Sequence, residues 1–132
     1  MALKETTVIK EQVTFGASPD EVYEMLMDSK KHSAFTGGSA KISRKVGGRI
    51  SAYDGYITGK NLKLIPGKLI EQEWAASDWE KGHTSIVKFE LEGKGKKTLL
   101  KFTQGNVPPG QYEEIKGGWK EFYWEPMKKM LG

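Results

Sequence analysis

The chain has 132 residues, 37% of them hydrophobic and 29% charged, which fits one globular domain able to bury a real core and excludes a disordered chain. It contains no cysteine, so disulfides, thiolate nucleophiles and cysteine metal sites are excluded. The net charge of +4 comes from lysines and glutamates that alternate, as in KKTLLKF and YEEIKGGWKEF. Such mixing is a solubility device rather than a phosphate-binding stripe, and no nucleic-acid partner is expected.

Residues 6 to 15, TTVIKEQVTF, place Ile9, Val13 and Phe15 on one face and Lys10, Gln12 and Thr14 on the other, as a half-buried strand does. In ASPDEVYEMLMDS, Ser18 and Glu21 have the spacing of a capping box, and Pro19 takes the first helical position, where its missing N–H costs nothing. Val22, Met25 and Leu26 form the apolar stripe of this helix. A second short helix is expected through Lys31 to Phe35, ended by Gly37-Gly38.

Short strands follow. AKISRKV runs to Gly47-Gly48, and RISAYD meets Asp54-Gly55, the signature of a two-residue hairpin. YITGKNLKLI stops at Pro66-Gly67, and KLIEQEWAA stops near Ser77-Asp78. HTSIVKFELE sets Ser85, Val87, Phe89 and Leu91 on one face, and KTLLKFTQ sets Leu100 and Phe102 inward. The joining turns are too short for crossover helices, so the sheet should be antiparallel.

Pro108, Pro109 and Gly110 launch the last segment. At about 100° per residue, Tyr112, Ile115, Trp119, Phe122, Tyr123, Met127 and Met130 fall on one broad stripe, with Glu114, Glu121, Glu125 and Lys128 opposite. A long amphipathic helix is expected, with Trp124 off the stripe as an exposed aromatic and Pro126 loosening the last turn or kinking it. Gly117-Gly118 would each cost about 1 kcal/mol in that helix. Close approach to the sheet, or a bend, is the expected compensation.

The predicted fold is therefore α+β: an antiparallel sheet of about seven strands wrapped around a long C-terminal helix, with two short helices after the first strand. This order resembles the helix-grip fold of the START-like (SRPBCC) superfamily. The blocks ASPDEVYEMLMDSKKHSAFTG, VGGRISAYDGYITGKNLKLIPGKLIEQEW, SDWEKGHTSIVKFEL and GGWKEFYWEPMKKML are similar, in this order, to the C-terminal domain of the activators of the heat-shock protein 90 ATPase. The eukaryotic co-chaperones of that family also carry an N-terminal domain that grips the chaperone's middle segment. The likeness here begins near residue 6 with the first strand of the C-terminal domain, so one domain over residues 1–132 is expected. The resemblance implies a chaperone of the heat-shock protein 90 type as a possible partner. The fold implies a possible cavity between sheet and helix, and Trp74, Phe89, Phe102, Trp119 and Tyr123 are the candidates to line it. The alternative is that these rings fill a solid core.

No catalytic, metal or cofactor residues are assigned. His32 reads as a surface residue and His83 as a loop-to-strand hydrogen bond. GKGKKT fails the spacing of a phosphate loop and reads as a solvated hairpin. If Trp74 faces the helix, Glu71 and Glu73 face solvent; the opposite register would line the groove with two carboxylates. The expectation is a non-catalytic binding protein, either a chaperone-associated regulator or a binder of a small hydrophobic ligand. The alternative is a small cyclase or hydrolase acting in the same groove. No signal-peptide core and no apolar run of about 18 residues occurs. A cytoplasmic monomer or weak homodimer without membrane contact is expected.

Overall fold

The computed structural model describes residues 7–131; Thr6, assigned above to the first strand, lies outside them. The elements follow as β1 (Thr7–Phe15), α1 (Pro19–Met27), α2 (Ser29–Thr36), β2 (Lys41–Ile42), β3 (Arg49–Ala52), β4 (Ile57–Ile65), β5 (Leu69–Ala76), β6 (Ser85–Lys94) and β7 (Lys97–Val107). The last segment divides into α3 (Tyr112–Trp119), a π-helical turn (Lys120–Trp124) and α4 (Glu125–Leu131). All seven strands join one antiparallel sheet in the order β1-β7-β6-β5-β4-β3-β2, so the first strand lies beside the last.

Period-two burial fixes which face meets the helix. β5 buries Ile70, Gln72, Trp74 and Ala76, and β6 buries Ser85, Val87, Phe89 and Leu91. β7 adds Thr98, Leu100, Phe102, Gln104 and Val107. Glu71 and Glu73 fall on the opposite face of β5, which removes the paired-carboxylate register. Across from Trp74 stand Gly59 on β4 and Ser85 on β6, small residues that leave room for its indole.

Capping behaves as the sequence dictates. The Ser18 hydroxyl accepts from the Glu21 N–H, Asp28 accepts from the Lys31 N–H to start α2, and Gly37 ends α2 in the left-handed conformation.

The turn after β3 departs from expectation. It is not a two-residue hairpin at Asp54-Gly55: Ala52 pairs with Ile57, leaving a four-residue loop. Tyr53, Asp54 and Gly55 all have positive φ within it, at 52°, 56° and 90°. A left-handed tyrosine is strained and survives only where neighbours over-determine it. Here the Asp54 N–H donates to the Ser39 carbonyl, and the Asp54 carboxylate accepts from the Ser39 N–H. Gly38 packs so closely that a Cβ there would lie 2.9 Å from the Tyr53 ring. The Gly37-Gly38 end of α2 thus clamps Tyr53 into the site described next.

Candidate functional site

Trp119 is the hub beneath the C-terminal helix. Its ring centroid lies 4.4 Å from Phe102, 4.5 Å from Tyr123, 5.0 Å from Trp74 and 5.8 Å from Phe89. Each buried indole is aimed by a polar group of the sheet. Trp119 Nε1 donates to Gln104 Oε1 at 2.7 Å, and the Gln104 amide donates to Ser85 Oγ. Trp74 Nε1 donates to Gln72 Oε1 at 2.8 Å, and the Gln72 amide donates to Asn61 Oδ1. Trp124 Nε1 donates to Glu11 Oε1 at 3.4 Å. Satisfying these N–H groups removes the cost of burying them and fixes the ring orientations. Gln72, Gln104 and Glu11 sit in phase with Trp74, Phe102 and Ile9, and that alternation was the signal by which they could have been found.

Trp124, expected as an exposed aromatic, is 4% exposed. The π-helical turn is the cause. The Glu125 N–H donates to Lys120 O, five residues back, so residues five apart come into line. Trp119 and Trp124 stack at 5.5 Å with 19° between their planes, and Trp124 reaches Phe102 at 5.2 Å. Pro126 has no N–H to give the preceding turn. The loosening expected of it appears directly before it, while α4 continues through it. Gly117 and Gly118 do not mark close approach: a Cβ at either would meet nothing within 4 Å.

His32 is likewise not a surface residue. It is 4% exposed, between α1 and the π turn, with Nδ1 against the Leu26 carbonyl at 3.0 Å and Nε2 against the Tyr123 hydroxyl at 2.8 Å. A carbonyl only accepts, so Nδ1 carries the proton and Nε2 accepts from Tyr123. Burial holds the His32 pKa below the ordinary histidine range and raises that of Tyr123. His83 makes the expected loop-to-strand bond, 2.8 Å from the Asn106 carbonyl.

Beside this cluster lies an open-sided groove of about 460 Å³. Its inner wall is Trp74, Trp119 and Tyr123, three of the five predicted residues; Ile57, Ala76 and Gln104 complete it. Phe89 and Phe102 do not line it, because Trp119 lies over both and makes them core. The mouth is built from residues not predicted: Tyr53 and Tyr56 of the β3–β4 loop, Trp79 of the β5–β6 loop, and Gln111, Glu114, Ile115, Gly118 and Phe122 of the C-terminal segment. Phe122, expected to turn inward, is 42% exposed at this rim and meets the Tyr53 ring edge-on at 5.4 Å. The Tyr53 hydroxyl is enclosed without a hydrogen-bond partner among the described residues. Among the described residues no His/Asp/Glu cluster could hold a metal ion, and no helix is long and apolar enough to cross a membrane.

A seven-stranded antiparallel sheet gripping a C-terminal helix, with an aromatic groove between them, defines a START-like helix-grip domain. The chain belongs to the family described as Activator of Hsp90 ATPase homolog 1-like protein, whose model matches residues 16–132. It is 29% identical over 119 residues to the mouse activator of 90 kDa heat shock protein ATPase homolog 1, covering 90% of this chain and 35% of that protein. It is 33% identical over 117 residues to the Dictyostelium discoideum homologue, covering 87% of this chain and 30% of that one. The chain thus spans about a third of the length of the curated relatives it matches. Among solved structures, an HSP90 activator from Plasmodium falciparum superimposes with a TM-score of 0.88 at 23% identity, covering 93% of this chain and 94% of that one. The Aha1 dimer from Colwellia psychrerythraea does so with 0.81 at 22%, covering 95% and 96%.

Proposed function

We propose that this chain is a non-catalytic binding domain that takes a small hydrophobic ligand into the groove between its sheet and its C-terminal helix. The observation that carries the reading is the groove itself. Its volume is that of a drug-sized site, half of its lining residues are aromatic, and a few polar groups stand at its edge. The carboxylates and histidine weighed for catalysis are not in it: both nitrogens of His32 are engaged within the core, and Glu71 and Glu73 lie on the far face of β5. The test is a thermal-shift screen of the intact chain with lipids, polyketides and flavonoids, repeated with Phe122→Ala, which alters the rim and not the core. Ligands that raise the Tm of the parent and less so that of the variant support the reading; a uniformly flat screen removes it.

Family membership favours a second reading, in which the domain regulates a chaperone of the heat-shock protein 90 type. Because this chain spans only a third of those relatives, their activity is a proposal for it. Adding the purified chain to the same organism's chaperone and following ATP hydrolysis tests it. An altered rate or measurable binding supports the role, and neither at high micromolar concentration ends it.

A further inference from the structure

The groove has a polarity of its own. Among the described residues that line it, seven present aromatic rings and Glu114 alone carries a charge. The acidic bias continues around the mouth. The Tyr56 hydroxyl donates to the Asp78 carboxylate at 2.7 Å. Burial, that hydrogen bond and the negative charges of Asp78 and Glu114 together push the Tyr56 pKa up to about 12. Glu121 acts in the same direction on Tyr53, after burial. The two lysines nearest Gly118 on the same segment have other partners: Lys116 lies over the Tyr112 ring at 5.5 Å, and Lys120 pairs with Glu125 at 4.0 Å. A groove for a fatty acid or another organic anion would need a cation where this one has carboxylates. Aromatic faces are themselves negative, and a ring-lined pocket with a carboxylate at its lip is the arrangement that holds an ammonium group.

We infer that the groove selects an organic cation with an apolar body, such as a quaternary ammonium compound or a protonated alkylamine. Tyr53, Tyr56 and Phe122 supply ring faces for the charged head beside Glu114, and Trp74 and Trp119 supply the apolar wall. The chain's overall positive charge opposes capture only at short range, since physiological salt screens charges beyond about 8 Å. The inference rests on the groove being the binding site proposed above.

Three probes of one shape separate the possibilities: benzyltrimethylammonium, its uncharged carbon isostere neopentylbenzene, and the anion benzylsulfonate. Binding is read from the fluorescence of the groove tryptophans of the intact chain. The cation should bind at least about tenfold more tightly than the sulfonate. Glu114 is exposed on α3, so Glu114→Gln should leave the circular dichroism unchanged. It should weaken the cation about threefold and leave the hydrocarbon unaffected. Tyr56→Leu should also weaken the cation more than the hydrocarbon, and Glu114→Lys should improve the sulfonate. The inference is overturned if the sulfonate binds as well as the cation, or if Glu114→Gln changes all three probes alike. Hydrocarbon binding without cation binding would leave the groove a site for neutral ligands and end the inference alone. Silence from all three probes would end both.

Discussion

At the scale of single residues, the core's polar side chains are closely paired, with the enclosed Tyr53 hydroxyl the exception among the described residues. His32 and Tyr123 form a closed pair, in which the tyrosine donates to Nε2 and the opposite ring nitrogen donates to the Leu26 carbonyl. Tyr123→Phe keeps the ring and deletes the donor, leaving a buried acceptor unpaired. It should destabilise the protein by about 1–3 kcal/mol in urea unfolding; a cost near zero would mean that the two side chains do not meet. The same pair sets a pH dependence. Unfolded His32 takes up a proton as pH falls through about 6.5, whereas burial lowers its folded pKa. Its contribution is therefore fully present above that pH and is lost as pH falls towards the folded value. The urea midpoint should drop between pH 7.5 and 5.5, and His32→Gln should flatten that part of the drop. Parallel curves for parent and variant would show that His32 is not held neutral. In the sequence His32 reads as a surface residue because α2 is short and polar around it. Its partner lies 91 positions away on another helix.

At the scale of the element, helical period correctly places Trp119, Tyr123 and Met127 inward, whereas Phe122 and Met130 of the same expected stripe are exposed. It fails at Trp124 because a regular 3.6-residue repeat turns that side chain well away from Trp119. The widened turn at Lys120–Trp124 restores the alignment, and burying another tryptophan, worth about 1.5–3 kcal/mol, compensates for the irregular hydrogen bonding. Deleting Glu121 would let the segment close into a regular helix and rotate either Trp119 or the Trp124–Met127 side out of the core. A drop in Tm of 10 °C or more, or failure to fold, is expected, and an unchanged Tm would mean that the wide turn has no packing role. Gly117→Ala should act in the opposite direction. Gly117 is exposed and a Cβ there meets open space, so the substitution should stabilise by about 0.5–1 kcal/mol. Destabilisation would show that this glycine relieves strain.

At the scale of the whole molecule, the sheet and the last helix depend on each other. The inner face of β5, β6 and β7 carries Ile70, Trp74, Val87, Phe89, Leu100 and Phe102, and Trp119, Tyr123, Trp124 and Met127 join the same core. A chain ending at Gly110 should lose cooperative unfolding and bind a hydrophobic dye; a cooperative transition near the parent Tm would show that the sheet stands without its cover. Strand number, antiparallel pairing, the capped short helices and the final amphipathic segment were all legible in the sequence. Each follows from local rules: alternation, turn residues, caps and helical period. The groove was only partly legible. Trp74, Trp119 and Tyr123 belong to periodic elements and were found, whereas Tyr53, Tyr56 and Trp79 come from loops whose positions no period reports. Phe89 and Phe102 were placed on the correct face, but whether an inward ring becomes wall or floor depends on what lies over it. The sequence by itself determined which side chains of the strands and of the regular helical turns leave water, because periodicity encodes the face there; at His32, Phe122 and Trp124 it did not. Only the tertiary structure decided which of them still meet an open space, because that depends on how far the helix stands from the sheet and where distant loops close the gap.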